Sequence, residues 1–390
     1  MKAINNPQRT TCLVWRVAVL VVSFLSLQAC NVPFIKQDLP HSKVAELLNG
    51  KELLGNNAEN LSLPEHDMLA MDATMADFVD RYVPRRSDDG IRLDILDYAM
   101  LAPGILGMKY KFDALNTARQ AFDTGQANCL SYAHLFIALS RYAGFKTSYQ
   151  EVKLPPTWAE IKGTGSYYYL RHVNVNLRFS HRQYTVDINA PEEIKFLKAK
   201  RISDHEAFAQ HFNNIAVKYM QEGDRLNAFR NFKKAIILAP KDASLWANFG
   251  TLYRRYGFYK LAETAYYHAL YLNEKEYIAM SSLAGLYLLT GESDKREYYL
   301  KKVERIRKQN PYNYFYLARK AYKKGDYSLA QKRLSAAISK EQGDLRFYLL
   351  MVLVQQKLNN NEAVLKYQKI AEELSGEIEQ YISNMMNDLD

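Results

Sequence analysis

The sequence predicts two folded parts in series, an α+β domain followed by an all-α repeat solenoid. Two patterns predict them: between Cys129 and Ile188 a helical apolar pattern gives way to alternating β-rich segments, and from about residue 209 the same residue types recur every 34 positions. A third, a short apolar run ending at Cys30, puts both parts behind a secretory leader. The chain has 390 residues, 48% apolar and 24% charged, which suits two or three ordinary domains and excludes a disordered, collagenous or membrane-filled protein. Three cysteines are too few for a disulfide scaffold.

The leader comes first. Lys2, Arg9 and Arg16 precede an apolar run of eleven, Val17 to Leu27, with no acidic residue among them. That run is shorter than the ~20 apolar residues a bilayer-spanning helix needs. Leu27-Gln28-Ala29-Cys30 resembles a bacterial lipobox, which implies removal of residues 1–29 and lipid on Cys30; simple cleavage or a free thiol at Cys30 are the alternatives. Lipid at Cys30 would hold the protein to a membrane of the bacterial cell envelope, facing the periplasm. Cys12 is expected to leave with the leader. Taking away three of 52 basic residues leaves 49 against 42 acidic ones, a net +7 spread along the chain, so nucleic acid is not expected as a partner.

Residues 30–65 are polar and irregular, as in a tether, with a helical candidate around 44–54. From Asp67 to Val83 the residues Met68, Leu69, Met71, Met75, Phe78, Val79 and Tyr82 follow a helical period that Pro84 ends, and a second helix is expected over Ile91–Leu101. Asp123-Thr124-Gly125-Gln126-Ala127-Asn128 then reads as loop and cap, and Cys129–Tyr142 as an apolar helix closed by Gly144. Cys129 therefore stands at a helix N-terminus, where orphan N–H groups and the positive dipole end stabilise a thiolate.

Strands are expected at Lys146–Leu154, Ser166–Arg178 and Gln183–Ile188. In the second, His172, Asn174 and Asn176 alternate with Val173, Val175 and Leu177, giving one polar and one apolar face. Asp187 follows His172 by fifteen residues, a separation that suits a hairpin placing the two side by side. Cys129, His172 and Asp187 are thus a candidate catalytic triad: the imidazole takes the thiol proton, the carboxylate orients the ring, and the thiolate attacks a carbonyl.

Three segments carry a family resemblance: Gly125-Gln126-Ala127-Asn128-Cys129-Leu130-Ser131-Tyr132-Ala133, Arg171-His172-Val173-Asn174-Val175 and Thr185-Val186-Asp187. In order and texture they resemble the transglutaminase-like core of papain-like thiol enzymes, over about residues 66–200. The resemblance implies a transglutaminase-like (papain-like) α+β domain, bounded here at 66–205, with Cys129 as nucleophile, His172 as general base and then acid, and Asp187 as orienting group. The Cys129 backbone N–H and Gln126 are the candidate oxyanion donors. The implied reaction is acyl transfer at an amide, to water or to an amine, with no cofactor. Some members of this group have lost activity, so a catalytically silent scaffold or adaptor is the alternative.

Other residues read more plainly. His134 is expected to be a core or partly exposed histidine, His181 and His205 have no partner at metal-ligand spacing, and no metal is expected. Asn174 either lines the cleft or bonds across the strands, and Trp158 either roofs the cleft or plugs the core.

The last part is a repeat. Gly223, Gly257, Gly291, Gly325 and Asn359 stand 34 residues apart, and glycine and asparagine are the residues that most readily take the left-handed conformation ending a helix. In the same register, large residues (Phe212, Trp246, Met280, Tyr314, Tyr348) precede the turn and small ones follow it (Ala228, Ala262, Ala330; then Ala235, Ala269, Val303, Ala337, Ala371). Trp246-x-x-Phe249-Gly250-x-x-Tyr253, with Ala262 and Pro240, resembles the tetratricopeptide repeat, which implies about five units over 206–376 that bind protein or peptide partners. The third unit departs: Arg296 replaces the small residue and the Asn310-Pro311 break comes late, so its second helix is expected to run long or tilt. Residues 377–390 are expected to form a capping helix.

Overall fold

The computed structural model describes residues 41–152, 159–160, 167–168, 171–179, 182–188 and 199–375. The leader, Cys12, Cys30, Trp158, His181 and the expected capping helix at 377–390 lie outside the described residues.

Two short helices, α1 (His41–Asn49) and α2 (Lys51–Leu54), occupy the candidate helical stretch. The described part of the expected tether is not free chain. Leu47, Leu53 and Leu54 are buried, Tyr253 donates from its hydroxyl to the Leu47 carbonyl at 2.6 Å, and Arg230 donates to the Ser62 carbonyl at 2.6 Å. Gly50 takes φ +70°, and a Cβ there would lie 2.5 Å from the Phe229 ring, so only glycine lets the chain pass. The leucines come in two adjacent pairs within a polar stretch, too few to mark which face is buried, which is why the sequence reads as a tether.

The α+β part follows. It contains α3 (Ala73–Tyr82), α4 (Asp89–Leu101), β1 (Lys109–Tyr110), α5 (Ala118–Thr124), β2 (Gln126–Ala127), α6 (Cys129–Tyr142) and β3 (Thr147–Val152). After these come β4 (Ala159–Glu160), β5 (Tyr167–Tyr168), β6 (His172–Phe179), β7 (Arg182–Val186) and β8 (Ala199–Arg201). Asp72 and Asp88 cap α3 and α4 by accepting from the Met75 and Gly90 amides, the cap chemistry that fixes where those helices begin. The main sheet is antiparallel in the order β7-β6-β3-β8. Val173, Val175 and Leu177 are buried on its apolar face, with Tyr149 directly across from Val175. Helix α6 lies in the middle: every residue from Leu130 to Ser140 is buried.

Ten helices in five pairs make up the rest: α7 (Asp204–Glu222) with α8 (Arg225–Leu238), α9 (Ala243–Arg255) with α10 (Tyr259–Leu272), α11 (Tyr277–Thr290) with α12 (Ser293–Gln309), α13 (Pro311–Lys323) with α14 (Tyr327–Ile338), and α15 (Leu345–Lys357) with α16 (Asn361–Ser375). All five turn positions take positive φ, from 55° at Asn359 to 84° at Gly223. The small residues at the paired positions, Ala228, Ala262, Ala330, Ala235, Ala269, Ala337 and Ala371, are fully buried, so the two helices of each unit approach closely. Helix α12 runs 17 residues against 12 to 15 in the second helices of the other units, and Asn310 serves both as its C-cap and as the N-cap of α13. Arg296 is exposed on it, so the missing small residue leaves no buried charge.

The first repeat helix begins early. Its additional N-terminal turn packs on the α+β core, where Arg141 grips Asp204 with two hydrogen bonds of 2.6 and 2.9 Å. One turn further, His134 of α6 is wholly buried, with Nδ1 at 2.6 Å from the Tyr149 hydroxyl and Nε2 at 3.2 Å from His211 Nδ1. Burial holds the His134 pKa well below the ordinary histidine value and, with the nearby His66, brings His211 down to about 4.

Two outcomes follow from this packing. A Cβ on Gly250 would lie 2.8 Å from the Tyr266 ring and 3.2 Å from the Ala262 carbonyl, so Gly250→Val is expected to destabilise by about 1–3 kcal/mol in urea unfolding. Because folding depresses the pKa of His134 and His211, the unfolded chain binds more protons. Stability is then full above about pH 6.5 and falls as the pH drops toward 4; His211→Gln, which cannot gain a proton, should show a shallower fall in Tm over that window.

Candidate active site

The site forms where α6 begins. Gly125, at φ 61°, ends α5 and turns the chain into the two-residue strand β2, which pairs in parallel with β1 so that Tyr110 stands beside Ala127. Asn128 then caps α6 by accepting from the Ser131 amide at 2.9 Å. Ser131 locks that end: its hydroxyl accepts from the Asn116 amide and donates to the Ala114 carbonyl, both at 2.8 Å. Cys129 is the first residue of the helix, partly exposed, and the one cysteine among the described residues.

Strand pairing delivers the other two groups. The last rung between β6 and β7 pairs Val175 with Val186, and continuing that register sets Asp187 across from Asn174, one side-chain repeat from His172. The carboxylate reaches both. Asp187 Oδ2 lies 2.5 Å from His172 Nε2 and accepts from Asn174 Nδ2 at 3.0 Å. With Nε2 so engaged, Nδ1 is the ring nitrogen left for the neighbouring Cys129. His172 and Asp187 are therefore in direct contact, with Cys129 close enough to act on the ring electrostatically.

Charge follows geometry. Burial works against a cation at His172, whose side chain is 13% exposed, but the Asp187 hydrogen bond, the Cys129 hydrogen bond and the charges of both partners outweigh it and push its pKa up to about 10. Tyr110 lies in the field of the same groups. Its phenol pKa is raised, first by burial and then by the negative charges of Cys129 and Asp187, and the ring remains 41% exposed.

The remaining candidates fall as follows. Gln126 is exposed on β2, with its backbone carbonyl held by Asn116 Nδ2 at 2.9 Å. Asn174 bonds across the hairpin to Asp187. His134 spends both ring nitrogens on Tyr149 and His211, and His205 is exposed on α7. Sequence reasoning missed Tyr110, which arrives through a two-residue strand that no periodicity announces. It also passed over Arg171, although that cation directly precedes His172. Among the described residues no three His, Cys, Asp or Glu side chains gather as metal ligands, and no helix is long and apolar enough to cross a membrane.

No protein-family model matches this chain, and no curated protein matches it. Among solved structures it is similar to MamA, at 20% identity over 45% of this chain and 95% of that one, with a TM-score of 0.24. It is also similar to YrrB, described as a TPR protein with an unusual peptide-binding site, at 16% identity over 44% and 88% of the two chains and a TM-score of 0.24. A third is PilF of Pseudomonas aeruginosa, at 16% identity over 46% and 82% with a TM-score of 0.25.

The pairing at His172 has a measurable consequence. Its raised pKa means that the stability contributed by the cation is fully present below about pH 6.5 and lost as the pH rises through about 10. The His172 imidazole should titrate near pH 10 by NMR in the wild type, and Asp187→Asn should lower that midpoint by about 1–3 units.

Proposed function

We propose that this chain is a thiol acyl-transfer enzyme of the bacterial cell envelope. In this reading it is anchored by lipid on Cys30, and its tetratricopeptide-like array recruits a protein or peptide substrate. One observation carries the reading: the His172 ring is held 2.5 Å from Asp187, and Cys129, at a capped helix N-terminus, is near enough to help raise that ring's pKa. That is the arrangement a nucleophile, a proton carrier and an orienting carboxylate require.

The chemistry runs through these atoms. The Cys129 sulfur, its proton held at His172 Nδ1, adds to an amide carbonyl; the oxyanion is met by the Cys129 backbone N–H, one of the orphan donors of the first helical turn, with Gln126 as the candidate second donor. His172 passes its proton to the leaving amine, the C–N bond breaks and a thioester remains on Cys129. Water or an amine then loses a proton to His172, attacks the thioester and frees the sulfur. Asp187 keeps Nε2–H pointed at itself, so that Nδ1 faces the sulfur.

Cys129→Ala is expected to abolish alkylation at this site by iodoacetamide and any release of amine from a peptide library, with Tm changed by only a few degrees. Undiminished turnover in that variant would sink the enzyme reading. Full complementation of a deletion strain by Cys129→Ala, with loss of complementation on deleting 206–376, would instead establish the silent adaptor.

A further inference from the structure

The sheet is weakest where the site needs it most. His172 is the first residue of β6 and pairs with Val152, the last residue of β3, while the ladder to β7 stops at Val175. His172 therefore sits on a terminal rung with a partner strand on one side, a position from which strands fray. Asp187 holds the ring, and a brace beyond the rung would hold the backbone that carries it.

Arg171 stands at that point. Its guanidinium forms a two-pronged ion pair with Glu151 on β3, with Nη2 at 2.9 Å from Oε2, and a second ion pair from Nη1 to Asp242. Nη1 also donates to the Ser244 hydroxyl at 3.1 Å. Asp242 belongs to the repeat array, where it caps α9, and its other oxygen accepts from the Ser244 amide at 3.0 Å and the Ser244 hydroxyl at 2.7 Å. A carboxylate bound into a helix cap is a rigid anchor, and all three charged side chains are no more than 22% exposed, where ion pairs are little screened. Burial disfavours the Arg171 cation, yet the paired carboxylates raise its pKa all the same. Glu276, the N-cap residue of α11, lies in the field of the same cluster: burial and then the charge of Asp242 raise its pKa.

We propose that Asp242 is a positioning residue of the thiol site: acting from the second repeat through Arg171, it holds the start of β6 so that His172 meets Cys129. This rests on the reading of Cys129 and His172 as a reactive pair. The repeat array is then part of the reaction centre's support as well as a surface for partners, and a ligand that moves the α9 N-terminus also moves His172.

The test is the pH profile of Cys129 alkylation by iodoacetamide in the full-length protein, followed by mass spectrometry of the Cys129 peptide. Wild type should react readily at pH 6. Asp242→Asn should react about tenfold or more slowly there, with the profile moved toward that of an ordinary thiol, because small misplacements of reacting groups cost rates of that order. Asp344→Asn is the control. Asp344 caps α15 and is ion-paired to the buried Arg346, so its loss should lower Tm without moving the profile. Should Asp242→Asn not fold, Ser244→Ala, which removes the hydroxyl bonded to both Arg171 and Asp242, gives the same shift at smaller amplitude. A wild-type profile retained in the Asp242 and Ser244 variants, or an equal shift in Asp344→Asn, overturns the positioning role while leaving the thiol site standing. An ordinary-thiol profile in the wild type overturns both.

Discussion

Helix α6 is buried on all sides, and the remainder of the structure is arranged by that fact. Eleven consecutive residues, Leu130 to Ser140, are buried, so sheet, preceding helices and first repeat helix must all close on it. A helix buried all round can expose chemistry only at its ends. Its N-terminus carries Cys129 beside unpaired amide groups, which gives a thiol both access and a favourable field. The same burial forces the polar groups along the helix to find partners, and they do: Ser131 with Asn116 and Ala114, Tyr132 with Asp97, His134 with Tyr149 and His211.

Those partners tie the two halves of the chain together. His211 and Asp204 belong to the first repeat helix, yet their bonds run to α6 through His134 and Arg141. Asp242, in the second repeat, pairs with Arg171 at the start of β6. The N-terminal segment adds another link, with Leu47 under Tyr253 and Gly50 against Phe229. Each contact joins residues far apart in sequence through buried or half-buried polar groups, where an unpaired partner is costly. Separation of the halves would break the His134–His211, Arg141–Asp204 and Arg171–Asp242 contacts at once.

Much of this was legible one residue at a time. The 34-residue spacing of Gly223, Gly257, Gly291, Gly325 and Asn359 named the turns, because left-handed backbone is a local demand that few residue types meet. The Asn128 cap, the Cys129 helix and the alternation of His172, Asn174 and Asn176 were equally local, since cap chemistry and strand period act within a few residues. Even the unusual third unit announced itself, as Asn310-Pro311 stands where a helix must stop and another start. The packed segment at 41–62 was not legible. Leu47, Leu53 and Leu54 are buried there, the Leu47 carbonyl accepts from Tyr253 and Gly50 lies against Phe229, positions that only the folded repeats create.

The sequence by itself determined where the helices, turns and strands fall and which side chains each presents, because helix caps, turn conformations and side-chain alternation are set by neighbours along the chain. Tertiary structure alone decided what stands next to what. Tyr110 comes under the charges of Cys129 and Asp187 only through the β1–β2 pairing, His134 is engaged only by Tyr149 and His211, and Arg171 meets Asp242 across seventy-one positions of sequence. Such contacts depend on how layers stack and where strands end, and no local preference of the chain encodes either.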